Sequence, residues 1–422
     1  MRSTDKKLTD TVMKDRKYRI TILSPHKLTF GGGVERFILN IVQNAPVNNF
    51  DIVVVQTDCE DMQRFDNGYV NQRLSKVKLC TLKSFRRIQF SAGIAIEEHL
   101  ESPSSIPIIL AWQLVKFLFC LFYRPINRSV LQQINESDLV YLIHNSDKMW
   151  LKSRSTTLIG STHEHDFWPS RMTSGLMYKV FCMLRYKGIA GFHFISARSF
   201  REAIIHRKYD FVLENGVDAK LFFPVDCSDG VGAGRIEFLF VSRLEATKGV
   251  KRLVYAWKLA GLRDVKLHIV GKGSLENFVR ENASTGIGIV YHGGLAPSEL
   301  AALYRRCDVF IFPTSHETYG NVVLEALASG LYVIASDALI GLFDEFNKLG
   351  VLEYVPNDTS VISEAMIRSV KNIRQIRQNR LKAYNYIMQL DRDWKSVTIS
   401  LFERFERILN SRRVYEEPSA VN

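Results

Sequence analysis

Short runs of apolar and β-branched residues recur along this chain, and segments with helical spacing of their apolar positions separate them. The runs lack the polar alternation of a half-exposed strand, which is typical of parallel strands covered on both faces. Their alternation with helices predicts an α/β fold with doubly wound parallel sheets. In the first half the predicted strands are 18–24, 52–56, 77–82, 139–144, 157–161, 192–197 and 211–214. In the second half they are 236–242, 266–270, 289–295, 308–312 and 332–335.

Residues 308–336 predict a strand, a polar loop, a helix and a second strand. Asn321 is a favoured N-cap for the helix, and Gly330 can adopt the left-handed conformation that ends it. Glu317 and Glu325 therefore lie on either side of a helix N-terminus at the carboxyl end of a parallel strand, where open α/β sheets bind ligands. Because a helix N-terminus favours anions, the two carboxylates fit better as acceptors for hydroxyl groups beside a bound diphosphate. Taken alone, each glutamate is better explained as a solvated or helix-terminal acid.

The string HETYGNVVLEA at 316–326 resembles the Glu-x7-Glu signature of the retaining glycosyltransferases of family 4, which have the GT-B architecture. The resemblance implies two Rossmann-like doubly wound domains that face a central cleft. It also implies that Glu317 orients the sugar of a nucleotide-sugar donor with help from two backbone amides, while Glu325 holds the ribose. The donor-binding residues that it implies in this segment are Tyr319, Gly320, Asn321 and Glu325.

Two cations follow the first predicted strand of the second half. Arg243 comes directly after this strand and Lys248 five residues later, at the start of a helix, so both charges converge on the anion site of that helix. Arg offers a planar fork to phosphate oxygens and Lys a point charge, and each charge-assisted bond contributes roughly 1.5–3 kcal/mol. Surface ion pairs are the alternative explanation. The Arg-x4-Lys-Gly pattern resembles the family's diphosphate site, which implies that these cations stabilise the leaving nucleoside diphosphate and that no metal or other cofactor is needed.

Glycine-rich loops mark two further places where the backbone can approach a ligand closely. Three consecutive glycines, ending with Gly32 and Gly33, precede a predicted helix and can present amides to an anion. They resemble the family's Gly-Gly-x-Glu loop, which implies that Gly32 and Gly33 face the donor diphosphate. Glu35 is explained equally well as a first-turn helix acid or as a contact to the acceptor. The resemblance also implies that Gly271 belongs to the nucleotide loop.

A histidine-rich segment follows the predicted strand at 157–161. His163 and His165 lie one residue apart, a spacing that is poor evidence for a metal site, and a hydrogen-bonded histidine at a strand end is the commoner explanation. The segment resembles the family's Thr-x-His-Asp-x-Trp pattern, which implies that His165 reaches the sugar from the first domain. His163 is a competing alignment. The Asp391-x-Asp393 pair is better explained by helix capping than by metal binding.

The amino-acid composition indicates what kind of protein this is and what kind of partner it binds. The chain has 422 residues, 46% of them hydrophobic and 24% charged, which is ordinary for a globular protein with two domains. Its six cysteines show no close pairs, which predicts neither a disulfide framework nor a zinc site. Together with the polar start at residues 1–17, they predict a reducing, cytoplasmic location. A net charge of +12 predicts an acidic partner. No nucleic-acid-binding motif is present, so nucleotide or lipid diphosphates are favoured over nucleic acid.

An apolar, aromatic run at 108–123 lies between two prolines and next to basic residues. It contains Gln113 and Lys116 and falls short of the roughly 18–20 apolar residues that a membrane span needs. Two interpretations stay open, a buried core helix and a helix in a membrane interface. The second predicts peripheral contact with the cytoplasmic face of a membrane through residues 108–128.

The resemblance therefore implies a metal-independent, retaining hexosyltransferase-type enzyme. It moves a sugar from a UDP- or GDP-sugar to the hydroxyl of a saccharide or lipid-linked acceptor, in polysaccharide or lipid-linked oligosaccharide assembly. The alternatives are a nucleotide-sugar-binding protein without turnover, a GT-B epimerase or phosphorylase relative, and a dehydrogenase that lacks the usual glycine fingerprint. The predicted domains are a polar tail at 1–17, an acceptor domain at 18–215, a linker at 216–234, a donor domain at 235–390, a helix crossing back to the first domain at 391–411 and a flexible tail at 412–422.

Overall fold

The computed structural model describes residues 17–24, 26–30, 32–57, 67–82, 128–143, 156–162, 183, 186–225, 235–283 and 286–416. The chain forms two compact units. The first comprises Met1–Ile195, Ser199–Leu213 and Lys395–Asn422, and the second comprises Ser196–Arg198 and Glu214–Trp394. Residues 214–225, which include part of the predicted linker, therefore belong to the second unit.

The first unit is built on a parallel sheet. Its strands are β1 (Tyr18–Ser24), β2 (Phe50–Thr57), β3 (Lys78–Leu82), β4 (Leu139–Leu142), β5 (Thr157–Ser161), β6 (Gly191–Phe194) and β7 (Phe211–Val212). They lie in the order β3-β2-β1-β4-β5-β6-β7, and every pair is parallel. Consecutive residues of β1, namely Ile20, Thr21 and Ile22, are all fully buried. Both faces of this strand are therefore covered, which explains the missing polar alternation.

Helices flank this sheet. They include α1 (Gly33–Gln43), α2 (Asn67–Arg73), α3 (Arg128–Asn135) and α4 (Ala197–Arg201). Because strand order reverses between β1 and β4, the loop before α1 leaves β1 at the point where sheets of this kind bind ligands.

The second unit repeats the same plan. Its strands are β8 (Ile236–Val241), β9 (Val265–Val270), β10 (Ile289–Gly293), β11 (Val309–Phe312), β12 (Tyr332–Ser336) and β13 (Leu352–Val355). The order β10-β9-β8-β11-β12-β13 is that of a doubly wound dinucleotide-binding sheet, with the switch point between β8 and β11. The helices are α5 (Val250–Ala260), α6 (Glu276–Ala283), α7 (Pro297–Arg306), α8 (Asn321–Ala328), α9 (Asp344–Lys348), α10 (Thr359–Lys371), α11 (Ile373–Gln378) and α12 (Arg380–Gln389).

A long C-terminal helix, α13 (Trp394–Glu416), contributes its apolar face to the first unit. The Phe402 ring lies 5.1 Å from that of Phe50, and the Phe405 ring lies 5.3 Å from that of Tyr141. The helix continues to Glu416, beyond the end predicted at residue 411.

Residues 108–127 of the predicted membrane-contact segment and the region around His165 lie outside the described residues. Within the part of the chain that the structure describes, no helix combines the length and apolar character needed to cross a bilayer.

Candidate functional site in the second unit

Two loops meet at the switch point of the second sheet, one after β8 and one after β11. The carbonyl of Thr247 accepts hydrogen bonds from the Ser315 amide at 2.8 Å and from the Thr314 hydroxyl at 3.2 Å. The sequence predicts a diphosphate beside the cations of one loop and hydroxyl groups beside the carboxylates of the other. The structure joins the two loops by hydrogen bonds and brings Lys248 of one loop to Glu317 of the other.

Gly249 makes this close approach possible. Its φ of 74° lies in the left-handed region, and a Cβ atom placed there would lie 1.9 Å from the carbonyl oxygen of Pro313. Any side chain would force the two loops apart. The glycine of the Arg-x4-Lys-Gly pattern therefore has a steric role as well as a conformational one.

Lys248 and Glu317 form an ion pair across the two loops. Lys248 Nζ lies 2.9 Å from Glu317 Oε2, and it also donates to the carbonyl of His316 at 3.4 Å. The two side chains are only 12% and 19% exposed. Arg243, which is half-buried, makes no hydrogen bond or ion pair with the described residues. The site therefore carries one neutralised pair and one uncompensated positive charge, which favours an anionic ligand.

Glu325 lies in the second turn of α8 and is 4% exposed. The hydroxyl of Tyr304, on α7, donates to Glu325 Oε2 at 3.4 Å and to the carbonyl of Val322 at 3.2 Å. The carboxylate is thus held in a fixed orientation by a neighbouring helix. A buried, oriented acceptor suits a ligand hydroxyl better than it suits a solvated surface role.

The start of α8 differs from the prediction. Gly320, with φ 94°, is the N-cap residue, and Asn321 is the first residue of the helix, so the prediction of Asn321 as N-cap was wrong. The Asn321 side chain is engaged elsewhere, because its Oδ1 accepts a hydrogen bond from Asn215 Nδ2 at 2.9 Å. The helix C-terminus follows the prediction, with Gly330 at φ 81°.

Asn215 holds the start of α8 in place, and Arg252 holds the loop beside it. The sequence did not assign either residue to the site. Tyr319 is buried and donates to the carbonyl of Asn215 at 3.4 Å, and burial raises the pKa of Tyr319, so its hydroxyl stays protonated. Asn215 thus contacts both Tyr319 and Asn321.

Arg252 on α5 fixes the neighbouring loop by donating to Asn357 Oδ1 at 2.9 Å and to the Pro313 carbonyl at 3.3 Å. Local spacing does not reveal these contacts of Asn215 and Arg252, because they join residues more than 60 positions apart.

The nucleotide loop predicted at Gly271 runs beside the same edge of the sheet. A Cβ atom at Gly271 would lie 1.8 Å from the carbonyl oxygen of Ser242, and the residue has a φ of 141°. The loop after β9 therefore passes directly against the residue that precedes Arg243. Among the predicted residues of the second unit, the structure brings Arg243, Lys248, Gly271, Glu317, Tyr319, Gly320, Asn321 and Glu325 to the loops and helices at this edge.

The glycine loop of the first unit resolves the two interpretations of Glu35. Gly32 is the N-cap of α1, and its amide donates to Glu35 Oε2 at 2.8 Å, while Glu35 Oε1 lies 2.9 Å from His26 Nδ1. Glu35 is 1% exposed. It is a helix-capping acid, because both carboxylate oxygens have partners within the unit. Gly33 is the first residue of α1 and is exposed.

Residues 235–372 match the family described as glycosyl transferases group 1. A glycogen synthase from Mycobacterium tuberculosis is 31% identical over 195 residues, which cover 44% of this chain and 45% of that protein. A GDP-mannose-dependent alpha-mannosyltransferase from Mycolicibacterium smegmatis is 42% identical over 99 residues, covering 24% and 25% of the two chains. The chain thus spans less than half the length of these curated relatives.

Solved structures show the same fold over nearly the whole chain. Sucrose-phosphate synthase from Thermosynechococcus elongatus superposes with a TM-score of 0.66 at 15% identity, covering 94% of this chain and all of that one. Anabaena HepE in complex with UDP and glucose superposes with a TM-score of 0.64 at 16% identity, covering 92% and 99%. The fold is GT-B, with two parallel-sheet domains, as the sequence predicted. The match of residues 235–372 to glycosyl transferases group 1 agrees with the predicted family.

Proposed function

We propose that this protein is a retaining glycosyltransferase that moves a sugar from a nucleotide-sugar to an acceptor hydroxyl in polysaccharide or lipid-linked oligosaccharide assembly. The observation that carries the proposal is the buried ion pair between Lys248 and Glu317 at the switch point of the second sheet. The names of the relatives support this class of reaction, since they include a glycogen synthase and GDP-mannose-dependent mannosyltransferases. A UDP- or GDP-sugar is accordingly the proposed donor.

The proposed mechanism uses the chain's own charges. Arg243, which has no partner among the described residues, receives the diphosphate first. Lys248 shifts from Glu317 Oε2 toward the leaving diphosphate as negative charge develops on it, and this electrostatic stabilisation replaces that of a metal ion. Glu317 then accepts hydrogen bonds from the donor sugar, and Glu325 accepts them from the ribose. Metal-independent turnover is part of the proposal.

The acceptor side of the reaction rests on the family resemblance. His165, Gly32 and Gly33 of the first unit are assigned to the sugar and the diphosphate on that basis, with His163 as the alternative to His165. The same holds for a saccharide or lipid-linked acceptor and for contact with the cytoplasmic face of a membrane through residues 108–128.

Nucleoside diphosphate release from a panel of UDP- and GDP-sugars tests the proposal, with and without saccharide and lipid-linked acceptors and in the presence of a chelator. We expect release with one donor, dependent on acceptor, insensitive to chelator and lost in Arg243→Gln. Arg235→Gln, which changes a half-exposed arginine of the same unit, is the matched control and should retain activity. Donor binding without release would identify a binding protein, and turnover without acceptor would favour an epimerase. Reduction or oxidation of NAD would indicate a dehydrogenase.

A further inference from the structure

Three neighbouring strands of the second sheet place polar side chains on one face. His268 on β9 is in register with Leu239 on β8 and with Val290 on β10. Glu237 lies two residues before Leu239, so its side chain shares a face of the sheet with that of His268. The register shifts at His292, but its ring reaches His268, with 2.8 Å between His292 Nε2 and His268 Nδ1. They form a diagonal row, Glu237, His268 and His292, under the end of α7, which contributes Arg306 and the following Cys307.

Three of these groups are metal-binding side chains within reach of one centre. The donor atoms of Glu237, His268 and Cys307 all lie within 4.8 Å of one another, and Glu237 Oε2 lies 3.4 Å from His268 Nε2. Ligand atoms around tetrahedral zinc, with bonds of about 2.0–2.3 Å, are roughly 3.3–3.8 Å apart. Side-chain rotations that bring the donor atoms of Glu237, His268 and Cys307 about 1 Å closer together therefore give the ligand spacing of a tetrahedral zinc site. His268 and Cys307 are 1% and 0% exposed, so water does not compete with them.

The hydrogen bonds of His268 prepare it as a ligand. Its Nε2 lies 3.3 Å from Arg306 Nη2, a donor, and 3.4 Å from Glu237 Oε2, an acceptor. Its Nδ1 forms a hydrogen bond with His292 Nε2 at 2.8 Å. A hydrogen-bond partner on the second ring nitrogen is the usual support of a metal-binding histidine.

Arg306 lies in the position that a cation would take. Its Nε lies 2.7 Å from Glu237 Oε2 and its Nη2 lies 3.3 Å from His268 Nε2, so the guanidinium bridges the two side chains. The Arg306 side chain is 56% exposed, in contrast to the buried groups that it contacts. It can withdraw into solvent and leave an open position for a metal ion and a water molecule.

We infer that Glu237, His268 and Cys307 form a zinc-binding site, with His292 supporting His268 and with Arg306 in place of the ion in the metal-free protein. Binding releases the thiol proton of Cys307 to solvent as the Zn–S bond forms, and the ion displaces the guanidinium. Glu237 is the second residue of β8, whereas Arg243 follows the strand's other end. The site therefore adds a structural ion to the second unit and is separate from the proposed transfer chemistry.

Metal titration of the full-length protein, stripped with a chelator, tests the inference. Calorimetry with Zn²⁺ should show one equivalent, and Co²⁺ should give a thiolate charge-transfer band. We expect Cys307→Ala and His268→Gln to weaken Zn²⁺ binding at least about tenfold, and His292→Ala to weaken it by roughly tenfold through its contact with His268. Cys80→Ser, at a half-buried cysteine of the first unit, is the matched control and should bind as the wild type does.

Arg306→Met gives the sharpest result because it removes the competing cation and keeps a side chain of similar length. If the site is real, this variant binds Zn²⁺ more tightly than the wild type, an effect that a merely structural arginine would not produce. Circular dichroism confirms folding, and if Cys307→Ala or His268→Gln does not fold, His292→Ala and Arg306→Met decide the question. The inference is overturned if the wild type binds no stoichiometric Zn²⁺, if Cys307→Ala retains the wild-type affinity and the cobalt band, or if Arg306→Met fails to strengthen binding.

Discussion

At the scale of single residues, the ion pair between Lys248 and Glu317 is the contact that connects structure to chemistry. Both groups have lost most of their hydration, and each compensates the charge of the other at 2.9 Å. A partner that leaves such a buried pair must be replaced by another charge or by hydrogen bonds to the group that stays behind. A diphosphate beside Lys248 and sugar hydroxyls beside Glu317 are suitable replacements, which is why the pair fits a site that binds and releases its donor.

Lys248→Ala should reduce kcat by about 100- to 1000-fold, because the ammonium group stabilises charge that develops only as the diphosphate leaves. Donor-consumption kinetics measures the effect. Lys251→Ala is the matched control, since this exposed lysine lies three residues further along the chain, and it should keep wild-type kcat. A folded Lys248→Ala variant with unchanged kcat would contradict the proposed role.

At the scale of elements, the two loops at the switch point depend on the close approach of Gly249 to Pro313. Gly261, at the end of α5, also has a positive φ, 56°, but a Cβ atom there would meet nothing within 4 Å. Alanine at Gly261 would therefore introduce backbone strain alone, whereas alanine at Gly249 would introduce both backbone strain and steric overlap.

Gly261→Ala should cost about 1–2 kcal/mol of unfolding free energy through left-handed strain alone. Gly249→Ala should cost roughly 1–3 kcal/mol more, because the added methyl group overlaps the Pro313 carbonyl and the loops must move. Denaturant unfolding of both variants measures the difference. An equal loss of unfolding free energy in the two variants would show that the loops can move apart without destabilising the protein.

At the scale of the whole molecule, stability depends on pH through a buried histidine of the first unit. His193 is fully buried, accepts a hydrogen bond from Tyr141 at 2.6 Å and donates to the Leu213 carbonyl at 2.7 Å. Burial lowers the pKa of His193 to about 4 from the ordinary value of 6.5. Between these values the unfolded chain binds the proton and the folded chain does not, so acidification favours unfolding.

The free energy of unfolding should therefore fall by roughly 3 kcal/mol from this group as the pH drops from 6.5 to 4. His193→Gln removes the titrating ring and should flatten this part of the profile, even if the variant is less stable at pH 7. Denaturant unfolding followed by circular dichroism over this pH range checks the prediction. A profile as steep as that of the wild type would assign the acid sensitivity to other groups.

Most of the fold could be predicted from local sequence, because strands that are buried on both faces consist of continuous runs of apolar residues. Strand β5 has the predicted bounds, and the other predicted strands lie within a few residues of the observed ones. The chemistry-bearing motifs could be found because the residues of each lie close together in sequence, as Arg243 and Lys248 do. The N-cap of α8 was assigned wrongly, because the Asn321 side chain is drawn to Asn215, a residue 106 positions away.

By itself, the sequence determined the α/β class, the GT-B fold and the segments that carry charged residues to the edge of the second sheet. Only the tertiary structure decided that Lys248 pairs with Glu317, that Asn215 and Arg252 hold the loops, and that Glu237, His268 and Cys307 converge under α7. The physical reason is range: periodicity and motif spacing report interactions between near neighbours, whereas parallel strand pairing sets side chains together that are tens of residues apart in the chain.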